Sequence, residues 1–430
     1  MGLRDIAVFV ILGGLLPLSF TRPRVAAIVF IILGVLAPHR LTFGSAATVP
    51  WVAIYFVPLI IGALNGPSGN IKSVISATWP VWLFVLMTTL TTIFAMDIGV
   101  SAYRYGEFLK ILLGATLVFS VLRNHDDIGA VVAAFAGSMA FLGLKAAPYT
   151  LLGSDGHVLG PTGTAIEDNN HMAVALIMSV PLLYWLSRVH QRWIVRQGLI
   201  IAMGATLVSA LGTYSRGGFI ALVAMLSCFL FRAKRKLLIL IVIGAMSAVV
   251  FEFMPQRFRD RIETINDYQQ DSSAQSRFGV WETALNIAEH RMLGAGFEYY
   301  RNPENFFQYS RVTDGVVRAT HSIYFQTLGE HGFPGLIIYF LMFGKAFLSL
   351  RRAERMARNR REPVMAELAR MVQVSLISFC VGAAFLSMTY WEGLYYLIFL
   401  SFVFPAMLER KLESKLPKPA QSSQRELKQA

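Results

Sequence analysis

The chain has 430 residues, 55% of them hydrophobic and 15% charged, with a formal net charge of +13. The apolar excess excludes an ordinary soluble domain, and the two cysteines, Cys228 and Cys380, both inside apolar runs, exclude a disulfide framework or a thiolate zinc site. Nor does the positive charge point to nucleic acid, because the basic residues sit in separate short segments between apolar runs, as membrane orientation requires.

Apolar runs begin at once. Asp5 to Phe20 lacks a basic leader and a small-residue cleavage site, and a second run follows directly, so the segment is expected to be retained as a span. Further runs occupy 24–37, 51–64, 73–95, 104–121, 128–148, 170–187, 195–213, 217–231, 236–254, 334–350, 371–388 and 393–408. Some are short for a full crossing, so the thirteen candidates predict an all-α polytopic membrane protein with about 12 transmembrane helices. The basic clusters Arg22 to Arg24, Lys72, Arg123, Arg188 to Arg196, Arg232 to Lys236, Arg351 to Arg361 and the tail from Arg410 are expected on the cytoplasmic side. Residues 1–414 form the expected bundle. Within it, 255–320 is one large outward loop with short amphipathic helices, and 415–430, rich in Lys, Pro, Ser and Gln, reads as a disordered cytoplasmic tail.

The loop's strongly basic residues are all arginines, among them Arg277 and Arg318, with no lysine, and forked guanidinium groups suit phosphate recognition. Acidic residues nearly balance them, so surface ion pairs are the alternative for any single one. Arg216 stands in Ser215-Arg216-Gly217-Gly218-Phe219, a turn too tight to leave the membrane boundary, where an ionisable group is costly unless it pairs or binds. Arg277 opens an amphipathic helix whose Phe278, Trp281, Ala284, Leu285 and Ala288 share one face; in its first turn, the helix amides and dipole would also favour an anion.

His321 closes the loop. With Thr320 as N-cap, it would lie at a helix N-terminus, where the dipole disfavours the imidazolium and leaves a neutral ring able to take a proton. Asn170 and His171 follow Glu167-Asp168-Asn169 at the start of a span and read either as a polar cap contacting sugar or diphosphate or as a plain helix start; Arg40 lies on the same outer side. No His-x3-His or paired-carboxylate spacing suggests a metal, and no cofactor motif is present.

A turn arginine before Gly-Gly-Phe (Arg216), Arg-x3-Trp (Arg277, Trp281) leading to Gly294-x-Gly296, and His321-Ser-x4-Gln326-x3-Glu330-x-Gly332-x2-Gly335 together resemble the O-antigen ligase and polymerase superfamily. Pro38-His39-Arg40 through Gly44, and Gly160 through Asn170, resemble the branch of exosortase-associated O-glycosylation ligases. The resemblance implies a GT-C-like glycosyltransferase of the bacterial inner membrane, with its site facing the periplasm. Such an enzyme moves a glycan from an undecaprenyl diphosphate carrier to a hydroxyl of lipid A-core, without metal and with inversion, as an O-antigen ligase of lipopolysaccharide biosynthesis. On that reading Arg216 and Arg277 hold the diphosphate, His321 activates the acceptor hydroxyl, and Arg318, Arg40, Asn170, His171, Trp281 and Glu330 contact diphosphate or glycan. A polymerase, a protein O-glycosylation ligase and, from another class, a lipid-linked sugar flippase are the alternatives.

Overall fold

The computed structural model describes residues 2–66, 69–122, 125–153, 156–232, 244, 272–311 and 315–414. Among them there is no strand. The helices are α1 (Leu3–Thr21), α2 (Pro23–Val35), α3 (Trp51–Leu64), α4 (Gly69–Ala77), α5 (Trp79–Ile93), α6 (Ile98–Val121), α7 (His125–Leu151), α8 (Asn169–Val189), α9 (Trp193–Leu211), α10 (Arg216–Arg232), α11 (Ser272–His290), α12 (Pro303–Phe307), α13 (Ile323–Asn359), α14 (Pro363–Gly382) and α15 (Glu392–Ser414). Seven are long and apolar enough to cross a membrane, or eight if the α4–α5 pair, bent by 74°, counts as one span. Pro23–Val35, Trp51–Leu64 and Arg216–Leu230 are shorter apolar helices. The expectation of about twelve spans therefore stands at the coarser level of a polytopic helical membrane protein. Apart from residue 244, the expected span 236–254, loop residues 255–271 and the tail 415–430 lie outside the described residues.

Hydrogen bonds sort the turns into two ends of the bundle. At one end, Asp5 at the start of α1 accepts from the Ala46 amide at 3.1 Å, Met96 N donates to Ala295 O at 2.9 Å, and Val158 N donates to Gly212 O at 3.1 Å. At the other end, Arg24 pairs with Asp127 at 2.8 Å, Trp185 Nε1 donates to Val364 O at 2.9 Å, and Arg352 pairs with Glu409 at 2.9 Å. From α1 to α10, with α4 and α5 counted together, successive helices thus alternate direction, and so do α13 to α15. The described residues of segments 37–50, 95–97, 152–153, 156–168, 212–215, 291–311, 315–322 and 383–391 gather at the first end.

The helix that follows His321 runs longer than the predicted span 334–350, because its first nine residues and the span are joined across a break at Gly332 (φ 67°, ψ −173°). A side chain there would overlap the Met292 carbonyl, and this backbone region is essentially reserved for glycine. The break frees the last carbonyls of the 323–331 helix, which are capped by Ala295 N on Gly329 O and Gly296 N on Glu330 O, both at 2.9 Å. Gly294 and Gly296 also have positive φ (71° and 89°), and a β-carbon at Gly294 would stand 2.6 Å from the Glu330–His331 peptide. The Gly-x-Gly motif and Gly332 are therefore two halves of one backbone clasp. It fixes the loop against the helix that begins beside His321.

α11 lies alongside that clasped helix. Its buried stripe is Val280, Thr283, Ala284, Ile287 and Ala288, whereas Phe278 and Leu285, expected to share a face with Ala284, are exposed. The helix starts at Ser272, five residues earlier than expected, so Arg277 is in its second turn, beyond reach of the free N-terminal amides.

Candidate active site

His321 sits in the left-handed backbone region (φ 45°), a conformation a β-carbon tolerates at a cost of about 1–3 kcal/mol. Its surroundings hold it there. The His321 amide donates to Ser387 Oγ at 3.0 Å, and the preceding carbonyl of Thr320 accepts from Trp281 Nε1 at 2.8 Å. Trp281 in turn stacks on Phe325, with centroids 4.8 Å apart and planes 8° from parallel. The N-cap is Ser322, whose Oγ accepts from Phe325 N at 3.5 Å, so the expected Thr320 cap is corrected by two residues and His321 precedes the helix. His321 keeps solvent access, although protein packs around its ring. Its basicity is lowered, first by the protein crowding the ring and then by the Arg277 guanidinium, while Asp168 acts in the opposite direction. A largely neutral imidazole follows, its causes burial and Arg277 rather than the helix dipole.

Asp168 caps α8, its Oδ1 accepting from the amides of Asn170 (2.8 Å) and His171 (3.4 Å). The Asn170 side-chain amide is engaged locally, donating to Asp168 Oδ1 at 3.0 Å and to Asn169 Oδ1 at 3.1 Å. His171 is close enough to His321 for the two rings to influence one another, and its Nε2 is enclosed with no protein hydrogen-bond partner. Asn169 Nδ2 donates to Thr213 O at 2.9 Å, and His157 Nδ1 meets the same carbonyl at 3.2 Å. The α9–α10 turn is thereby fastened to the start of α8.

Arg216 is the first residue of α10 and is exposed. Ser215 Oγ caps the helix by accepting from Gly218 N at 3.0 Å. A β-carbon at Gly217 would stand 3.4 Å from Gly382 O, and one at Gly218 would collide with Ala173, so these glycines serve close helix contact with α14 and α8. α14 leads into the 383–387 turn that carries Ser387, the residue holding the His321 amide. Arg216 and His321 are thus bound to one small piece of scaffold.

Arg40 is exposed, its Nη1 3.6 Å from where a β-carbon at Gly163 would stand, which places it against the loop leading to Asp168. Arg318 precedes His321 by three residues and donates to Val316 O at 3.2 Å.

Glu330 differs from its expected role as a glycan contact. It is fully buried, accepting from Glu298 N at 3.0 Å, from Gln326 Nε2 at 3.3 Å and from the Tyr390 hydroxyl. Enclosed by these partners, Glu330 braces the clasp instead of facing the open site. His331, unassigned from the sequence, is equally buried: Nδ1 meets Thr91 Oγ1 at 2.8 Å, Nε2 meets Tyr390 Oη at 2.7 Å, and Phe297 covers the ring with a centroid 4.8 Å away. Glu298, beside this network, ion-pairs with Arg104 at 2.6 Å and with Arg301. Arg301 is therefore a structural arginine of the loop, as is Arg311, paired with Glu282 at 2.9 Å.

Among the described residues, no group of three His, Cys, Asp or Glu side chains is placed to hold a metal ion. No curated protein matches the chain. Residues 3–191, which carry Arg40, Asn170 and His171, match a family of unknown function (DUF5935). Residues 198–340 match the model described as O-Antigen ligase, and that stretch contains Arg216, Arg277, Trp281, Arg318, His321 and the whole glycine clasp. Over that stretch the chain is similar to the O-antigen ligase superfamily.

Proposed function

We propose that the chain is an O-antigen ligase, a glycosyltransferase that moves a glycan from undecaprenyl diphosphate to a hydroxyl of lipid A-core at the periplasmic face of the inner membrane. The observation that carries this reading is the setting of His321: a solvent-accessible histidine of lowered basicity, with Arg277 and Asp168 in electrostatic reach and the Arg216 turn on the scaffold that holds its amide. The acceptor oxygen attacks the anomeric carbon while the bond from that carbon to the diphosphate oxygen breaks. The departing electron pair stays on the diphosphate, where Arg216 and Arg277 offset the growing charge, and the acceptor proton passes to His321. A single displacement inverts the anomeric centre.

The orientation rests on charge. Arg22, Arg24, Arg188, Arg192 and the Arg351–Arg361 cluster belong to the end opposite His321, which suits the cytoplasm and leaves the site outside. Together with the shorter apolar helices, this arrangement supports a bundle of about twelve crossings with a GT-C-like plan. A polymerase or a protein O-glycosylation ligase would use the same donor chemistry with another acceptor. A flippase would have no use for a solvent-accessible base beside paired cations.

The test supplies purified protein with lipid-linked glycan and, separately, lipid A-core, a second lipid-linked glycan or a hydroxyl-bearing peptide, each with and without chelator. Product on lipid A-core in chelator is expected. Product only on glycan or on peptide would replace the ligase reading by one of its relatives, and loss of product with chelator would overturn the charge role given to the arginines.

A further inference from the structure

The end of the bundle that holds His321 also carries cations that the proposed chemistry leaves unused. Lys145 stands on the exposed stripe of α7 with Phe141 and Leu144, several residues before the helix ends at Leu151. That sets it about 9 Å below the helix end, inside an apolar span, where a lipid-facing ammonium is costly unless it reaches an anion at headgroup level. The charged side chain that acts on it is a second cation, Arg4, at the start of α1. Among the described residues neither makes an ion pair or a side-chain hydrogen bond with protein. Arg4 Cζ lies 5.7 Å from the centroid of the exposed Phe43 ring, a contact through the flat face of the guanidinium that leaves its N–H edge without an acceptor. Asp5, the adjacent acid, is buried and turned to the amides of Gly2 at 3.2 Å and Ala46 at 3.1 Å. Two cations in reach of each other, with no acid between them, suit an anion.

Charge and place select the anion. A phosphodiester, as in bilayer glycerophospholipids, brings one negative charge, whereas a phosphate monoester carries about −1.5 to −2 at pH 7 and offsets both cations. Deeper in the bundle, α1 and α7 both pack on α2 and present the exposed apolar side chains Ile6, Val10, Phe141 and Leu144, a seat for acyl chains. On the other side, the 38–41 turn packs on the start of α1 and carries Arg40, which lies against Gly163 in the loop leading to Asp168, itself in electrostatic reach of His321. Acyl chains, a phosphate monoester and a polar part extending toward His321 describe a phosphorylated glycolipid. All three cations lie in residues 3–191, outside the stretch that matches the ligase model and holds the arginines assigned to the donor.

We propose that Arg4 and Lys145 hold a phosphate monoester of the acceptor glycolipid, with its acyl chains against α1 and α7 and its sugars led past Arg40 to His321. The inference rests on the acceptor assignment made above. It divides the work of the chain: the N-terminal part seats the acceptor, and the ligase-like part holds the donor.

The experiment measures equilibrium binding, so it does not depend on turnover. Full-length protein in phosphatidylcholine nanodiscs is titrated with lipid A-core and with the same glycolipid after its phosphate monoesters are removed, for wild type, Arg4→Gln, Lys145→Gln, Lys145→Arg and Lys110→Gln. Lys110 is exposed and paired with Glu107, so its variant controls for loss of any surface cation. Wild type is expected to prefer the phosphorylated form. Arg4→Gln and Lys145→Gln should each weaken that form about fivefold and leave the dephosphorylated form unchanged, while Lys145→Arg and Lys110→Gln bind as wild type does. No preference in wild type, or no change in the two glutamine variants, would overturn the site. Displacement of lipid A-core by an equal amount of phosphatidylglycerol would also overturn it, by making the pair an ordinary headgroup contact. Product on lipid A-core without a phosphate preference in binding would overturn this site alone, whereas no binding of either form, with transfer only to another acceptor, would overturn the acceptor reading as well.

Discussion

Replacing Gly332 with alanine tests whether the backbone clasp fixes the His321 helix. The substitution places a β-carbon at φ 67°, ψ −173°, which costs about 1–3 kcal/mol in conformational strain. It also drives that carbon into the Met292 carbonyl, so the 291–296 loop must withdraw. Withdrawal breaks the bonds from Ala295 N to Gly329 O and from Gly296 N to Glu330 O, at about 0.5–1.5 kcal/mol each. The whole loss is then about 2–6 kcal/mol. Gly344→Ala in the same helix is the control, since Gly344 is helical with nothing within 4 Å of a new β-carbon, and helix propensity alone makes it neutral or slightly stabilising. Denaturant unfolding of both variants in detergent gives the comparison. A Gly332→Ala protein as stable as Gly344→Ala would refute the clasp.

The pH dependence of transfer follows from the charges around His321. Activity should fall on acidification through an acid limb lying below the ordinary histidine value of about 6.5, because burial and Arg277 both disfavour the imidazolium. Residual activity of Arg277→Gln should show that limb at higher pH and Asp168→Asn at lower pH; limbs that stay in place would contradict the assigned neighbourhood. Glu330→Ala leaves the Glu298 amide and the Tyr390 hydroxyl without their buried partner and should cost about 2–5 kcal/mol. If Glu330→Ala unfolded like wild type but bound the sugar-bearing carrier more weakly, Glu330 would be a glycan contact after all.

Much of this was legible because the signals are local. Apolar runs of helical length mark most helices, and a histidine, a turn arginine and an Arg-x3-Trp pair mark the residues that meet at one end of the bundle. What escaped depends on partners far apart in the chain. His331 reads as a stray histidine until Thr91 and Tyr390, 240 and 59 residues away, close on its two nitrogens. Glu330 reads as an available carboxylate until Glu298, Gln326 and Tyr390 enclose it. On α11, periodicity grouped Phe278 and Leu285 with Ala284 on one face; the neighbouring helix instead approaches through Gly329 and buries the smaller stripe through Ala284. The break between α4 and α5 falls at Thr78, followed by Trp79-Pro80, where a continuous apolar count sees a single span.

The central claim is that His321 is the base that activates the acceptor. Its most direct test is the transfer rate of His321→Gln at saturating lipid-linked glycan, alongside donor binding to the same variant. The account predicts a loss of about 10²- to 10⁴-fold in rate with donor affinity retained, because Arg216 and Arg277 still hold the diphosphate. Transfer by His321→Gln at the wild-type rate would contradict it.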